Sequence, residues 1–209
     1  VEDLVQAWCA LLARHTASPE VEATGRALLA CWTEPHRRYH DLSHLRGVLR
    51  ALDDLDDLAS DPDAVRLAAW YHDAVYAGRS DDEERSALMA EAALTALGLS
   101  PDFVAEVGRL IRMTVHHNPD PDDANGAVLS DADLAVLALP RAAYQRNSAA
   151  VRAEYPHVAD ADFRAGRARV IRQLLAAPHL FRTVTARARW EQAARENLAA
   201  ELQTLGAPG

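Results

Sequence analysis

The chain has 209 residues, 49% hydrophobic and 25% charged, with a formal net charge of −9. That profile is the one expected of a soluble globular protein with enough chain to bury a substantial core. It excludes a nucleic-acid backbone as the main partner, because such binding rests on many Lys and Arg contacts, and no apolar run approaches the roughly 18 residues of a membrane-spanning helix.

The charge is unevenly spread. Residues 1–139 hold 11 Arg against 25 Asp and Glu, whereas residues 140–209 hold 11 Arg against 6, and there is no lysine. An acidic body beside a basic final third suits a small anionic substrate. Val1 opens no basic-then-apolar leader, and only two cysteines occur, Cys9 and Cys31. Both facts predict a cytoplasmic protein with two buried, unpaired thiols.

Apolar spacing is helical from end to end, with no period-two strand, and predicts an all-α fold. Leu4, Val5, Trp8, Leu11 and Leu12 form a first stripe, and Val21, Leu28, Leu29 and Trp32 a second. A third helix, capped by Ser43, carries His44, Leu45, Val48 and Leu52. Asp61-Pro62 supplies cap and first helical residue for a segment running to near Tyr76. Ser80-Asp81-Asp82-Glu83 reads as a capping box opening a helix that Gly98 ends. Ser100-Pro101 opens the next, reaching His116. Asn118 to Gly126 reads as a loop, Ser130 as the cap of a short helix through Leu139, and Pro140 as the start of one reaching Glu154. Residues 160–176 and 178–204 complete the series. The expected organisation is one domain over 1–209, with a core at about 38–140 and an Arg-rich helical extension at about 141–205.

Four residues carry the chemistry: His44, the pair His72-Asp73, and Asp133. Two imidazoles and two carboxylates on separate apolar segments are a donor set for a divalent ion. His72-Asp73 closes an almost wholly apolar run from Val65 to Tyr71, where a buried carboxylate must be paired or ligated. Asp133 has a competing local role, since Ser130-x-x-Asp133 also reads as a capping box. Asp131 is the alternative fourth ligand.

This order of His, His-Asp and Asp resembles the HD superfamily of metal-dependent phosphohydrolases over residues 38–140. The closing triplet Ala132-Asp133-Leu134 is similar to that family's, which favours Asp133 over Asp131. More narrowly, the chain resembles a bacterial branch of predicted HD phosphohydrolases. The shared segments are Tyr39-His40-x-x-x-His44, Glu83-x-x-Ser86-Ala87, Asp131-Ala132-Asp133-Leu134, Arg152-x-Glu154-Tyr155, Gly166-Arg167 and a closing pattern from Glu191 to Leu198. The resemblance implies an HD-domain helical bundle with added terminal helices. It implies a phosphohydrolase acting on a small phosphorylated substrate, a nucleotide first among the candidates, through a metal-bound hydroxide. The ion is Mn, Fe, Co, Zn or Mg, since two His with two carboxylates select none of them. An HD-type di-iron oxygenase and a non-catalytic nucleotide-binding regulatory module are the alternatives.

Further candidates surround this set. His40, four residues before His44, is an accessory or alternative ligand. His116-His117 ends a helix, with His117 favoured to face the cleft as a catalytic group and His116 to touch substrate. Glu83 and Glu84 are general-base candidates. Arg152 and Arg167 have the planar fork that fits phosphate, and Tyr155 joins them as a substrate contact.

Overall fold

A computed structural model describes residues 1–206, and within them the chain forms ten α-helices and no strand. Helix α1 (Glu2–Leu12) buries the predicted stripe of Leu4, Val5, Trp8, Leu11 and Leu12. Helix α2 (Val21–Cys31) packs against it with Gly25 beneath the Trp8 ring. A Cβ at Gly25 would stand 2.3 Å from Trp8 Cδ1, so only glycine admits this approach. The Trp8 Nε1–H donates to the Val21 carbonyl at 2.7 Å. Cys9 and Cys31 are free thiols, half-buried rather than buried.

Helix α3 (Leu42–Asp53) is capped by Asp41, whose side chain accepts from the Ser43 and His44 amides. The cap therefore lies two residues before the expected Ser43. Helix α4 (Pro62–Tyr71) begins as its Asp61-Pro62 signal requires, with Asp61 accepting from the Ala64 amide. Ala64, Val65 and every residue from Leu67 to Tyr71 are buried, because α4 packs on α3, α5, α6 and α7. It ends at Tyr71, several residues short of the expected Tyr76.

Helix α5 (Asp82–Ala96) is not opened by a capping box: its first residue follows Asp81, which makes no side-chain cap. Asp82 turns back to accept from the Ala77 and Arg79 amides instead. Gly98, at φ +84°, ends the helix. The Leu99 amide donates to the Leu94 carbonyl and the Gly98 amide to that of Thr95, the paired bonds of a Schellman end. Helix α6 (Pro101–Met113) starts at the Ser100 cap.

The largest departure from expectation is helix α7 (Ala124–Leu134), which begins at the Asp123 cap inside the expected loop. Ser130 is thus a buried helix-interior residue and caps nothing. A 3₁₀ turn (Ala135–Ala138) leads to α8 (Arg141–Glu154), α9 (Asp160–Ala176) and α10 (Val184–Gly206). The last starts six residues later than the spacing suggested, leaving 178–183 as a connection. One contiguous core runs from Leu4 to Leu198.

That connection is pinned by residues of the closing sequence pattern. Glu191 accepts from the Leu180 and Phe181 amides and pairs with Arg195, which reaches the carbonyls of Leu175, Ala177 and Pro178. Asn197 donates to the Leu137 and Leu139 carbonyls, tying α10 to the 3₁₀ turn behind α7. The Arg-rich extension is a brace on the helix that carries Asp133.

Candidate metal centre

Three segments meet at one point. His44 comes from the first turn of α3, His72 and Asp73 from the end of α4, and Asp133 from the last turn of α7. His44 Nε2 lies 3.2 Å from His72 Nε2, 3.1 Å from Asp133 Oδ1 and 3.4 Å from Asp73 Oδ2. His72 Nε2 lies 3.0 Å from Asp73 Oδ2 and 3.5 Å from Asp133 Oδ1. Donor atoms of His44, His72 and Asp133 fall within 4.8 Å of one another, a group able to hold a metal ion.

Local structure explains why each donor points inward. His72 sits where α4 stops: its Nδ1 is 2.9 Å from the Ala69 carbonyl. A carbonyl only accepts, so Nδ1 carries the proton and Nε2 is left with its lone pair toward the cluster. Ending α4 at Tyr71 lets Asp73 leave the helical path and reach the same point. Arg37 holds the turned backbone, donating to the carbonyls of His40, Asp73 and Ala74 from a fully buried side chain. The Trp32 ring closes the cluster from behind, 5.6 Å from His72 and 6.3 Å from His44, and its Nε1–H donates to the Trp70 carbonyl.

The electrostatics are those of two buried imidazoles packed against two half-buried carboxylates. Burial disfavours the charged forms of His44 and His72. The two carboxylates reverse that effect, pushing His44 up to about 9 and His72 well above its ordinary range. Asp73 and Asp133, against the same burial, are held well below the carboxylate range by the imidazoles. A metal ion held by this group would take the place of the protons the arrangement otherwise keeps.

Asp131 is not at the cluster. It is wholly buried and accepts from the Arg182 and Thr183 amides at 2.6 and 2.7 Å, anchoring the connection before α10. Burial raises its pKa, and those two amides offset the rise only in part. Since Ser130 is no cap, Asp133 loses its local explanation as well, and Asp133 rather than Asp131 is the aspartate at the cluster.

His117 joins the cluster, with Nε2 3.4 Å from Asp133 Oδ2, whereas His116 is exposed. His117 adopts φ +47°, a left-handed conformation rare for a side chain of this size. Its Nδ1 is buried and without a hydrogen-bond partner among the described residues, and burial lowers its pKa. Arg182 fixes the turn by donating to the His117 carbonyl and Asn118 Oδ1.

His40 stands beside the cluster, its ring 5.8 Å from that of His44 and stacked on Tyr76 at 4.0 Å. Glu154, at the end of α8, grips it: Oε2 is 2.6 Å from His40 Nδ1, and Oε1 accepts from the Arg38, Tyr39 and His40 amides. Glu84 forks onto Arg112 on the surface and is not available as a base. Glu83, half-buried, makes no hydrogen bond or ion pair among the described residues.

Two expected phosphate grips brace the fold instead. Arg152 donates to the Tyr155 and Val158 carbonyls, pairs with Asp160 and lies over Phe163, so its fork is committed. Arg167 forks onto Glu201 at 2.8 and 3.0 Å. Tyr155 meets the Tyr76 hydroxyl at 3.4 Å. Arg37 had no distinct sequence signal, because one arginine among many shows no periodicity of its own; Glu154 was marked only as part of the Arg152-x-Glu154-Tyr155 segment, without its role.

Comparison of the chain with protein-family models, curated proteins and solved structures finds no match.

Proposed function

We propose that the chain is an HD-type, divalent-metal-dependent phosphohydrolase. It cleaves a phosphoester or phosphoanhydride bond of a small phosphorylated substrate, with nucleotides the first class to test. One observation carries the reading: side chains from three separate elements converge so that the Nε2 atoms of His44 and His72 lie within 3.5 Å of one another and of both the Asp73 and Asp133 carboxylates. His44, His72, Asp73 and Asp133 would hold the ion. A bound divalent ion lowers the pKa of a coordinated water and polarises a phosphoryl oxygen.

The remaining work falls to the chain. His117, with Nε2 beside Asp133, would bind a phosphoryl oxygen or hold a proton at the cluster edge. Glu83 is the uncommitted carboxylate among the general-base candidates. Trp32 and Tyr39 close the cluster with aromatic surface, which strengthens electrostatic contacts inside it.

The test is elemental analysis of purified protein, then a phosphate-release screen over nucleotides and sugar phosphates. Retained metal and turnover in the wild type, both absent in His72→Ala/Asp73→Ala, support the reading; an active, metal-free double variant overturns it. His117 also suits a second ion. Two irons per chain with oxygen uptake, and no phosphate release under anaerobic conditions, would turn the reading to an HD-type oxygenase. Tight nucleotide binding without turnover, on fully loaded protein, would turn it to a regulatory module.

A further inference from the structure

A cleft of about 710 Å³ opens directly off the metal cluster, with His44 on one wall and Asp133 on the other. From His44 it follows successive turns of α3 through Gly47 and Arg50 to Asp54, a path of roughly 15 Å at the helical rise. The facing wall runs from Asp133 along the 3₁₀ turn to Arg146 on α8 and is mostly alanine, valine and leucine. The half-buried Trp190 ring adds to this apolar lining.

Two exposed features of the cleft are open to a ligand. Arg50 and Arg146, one from each wall, make no hydrogen bond or ion pair among the described residues. Other arginines at this end are committed: Arg189 holds Asp54 at 3.0 Å, and Arg38 donates to the Pro35 and Arg37 carbonyls. Gly47 is the second feature. It lies in the interior of α3, where glycine is a poor helix former, yet nothing among the described residues lies within 4 Å of where its Cβ would be. The space above it belongs to the cleft.

We propose that this cleft is the subsite for the non-reacting part of the substrate. It takes an elongated phosphate ester with an apolar middle, which lies over Gly47, and a second anionic group held between Arg50 and Arg146. The inference rests on the hydrolase reading for the end at His44 and Asp133, and it names what that reading leaves open. It makes Arg50, Arg146 and Gly47 specificity-determining residues, since guanidinium groups on both walls of the cleft suit phosphate or carboxylate oxygens and reward a dianionic ligand over a monoanionic one.

Alkane-α,ω-diol bisphosphates of four to eight carbons, compared with the matching alkyl monophosphates, measure the subsite directly. On metal-loaded wild type, one chain length is expected to show a KM at least tenfold below that of its monophosphate partner. In Arg50→Ala/Arg146→Ala that ratio should collapse to within twofold of one. Gly47→Leu should raise KM for the long esters more than for the short ones, and Arg172→Ala, an unpaired arginine outside the cleft, should change nothing. Turnover in the wild type with a ratio unmoved by the Arg50 and Arg146 substitutions overturns the subsite and leaves the hydrolase reading standing. Absence of turnover on every ester overturns the hydrolase reading. The subsite is then decided by calorimetric binding of the bisphosphates: binding at least tenfold tighter to wild type than to the double arginine variant supports it, and equal binding overturns it.

Discussion

The Nε2 atoms of His44 and His72 face each other across 3.2 Å, from helices 28 residues apart in the chain. Two imidazole lone pairs at that separation repel unless a proton or a cation lies between them, and each ring also has both carboxylates within 3.5 Å. Loading with metal should therefore raise the melting temperature and release protons. Ligand linkage gives about 2.7 kcal/mol at a free-metal concentration one hundred times Kd. Calorimetry in buffers of differing ionisation enthalpy counts the protons. In His44→Ala and His72→Ala, metal content measured by mass spectrometry should fall at least tenfold, and the stabilisation by metal should disappear.

Asp131 and Asp133 stand two residues apart and are predicted to fail differently. Asp133→Ala should lose metal and turnover while keeping most of its stability. Asp131→Ala strands two backbone amides and should cost about 2–3 kcal/mol, with metal stoichiometry retained. Denaturant unfolding paired with elemental analysis separates the two, and metal loss in folded Asp131→Ala would contradict the assignment.

Glu154 should govern part of the acid stability. Burial works to raise its pKa, but His40 and the Arg38 and Tyr39 amides more than reverse that, holding it at about 2 against an ordinary 4.5. A carboxylate with a depressed folded-state pKa contributes stability that is present above its unfolded value and lost as the pH falls through the folded one. The loss should fall between about pH 4.5 and pH 2 and be on the order of 1–3 kcal/mol. Glu154→Gln should be less stable at neutral pH and show a flatter fall across that window, read from unfolding midpoints at each pH.

His117 holds a left-handed backbone conformation that costs roughly 1 kcal/mol in a non-glycine residue. His117→Gly should therefore be at least as stable as wild type, and up to about 1 kcal/mol more so, while turnover falls. A stable variant with full activity would remove His117 from the site.

Gly47→Ala should stabilise the protein by about 0.5–1 kcal/mol, because the position is helical and its Cβ would meet nothing. Thermal unfolding of the unliganded protein measures it. A destabilised Gly47→Ala would mean the glycine serves packing within the fold.

Much of this was legible beforehand. Helix positions followed from apolar spacing, because a stripe such as Leu4, Val5, Trp8, Leu11 and Leu12 has one buried solution at 3.6 residues per turn. Capping signals worked where they were strong, at Asp61-Pro62 and Ser100-Pro101, and failed where polar residues crowd. Ser43, Ser80 and Ser130 each looked like a cap, yet α3 is capped by Asp41, Asp81 precedes α5 without a side-chain cap, and α7 starts at Asp123. Local hydrogen-bonding capacity is shared by every Ser and Asp in such a run, and tertiary contacts choose among them.

By itself the sequence determined an all-α chain and marked His44, His72 and Asp73 as candidate donors, with a short choice for a fourth, because periodicity and a His-Asp pair ending an apolar run are local properties. Only the tertiary structure placed Asp133 rather than Asp131, and His117 rather than His116, at the cluster, and engaged Glu84, Arg152 and Arg167 elsewhere. Each of those choices depends on which partner comes within about 3 Å from a distant part of the chain: the 182–183 amides for Asp131, Arg112 for Glu84, Glu201 for Arg167. The same fold leaves Arg50 and Arg146 without partners and the Cβ position of Gly47 without neighbours among the described residues, in a cleft that residue spacing does not reveal.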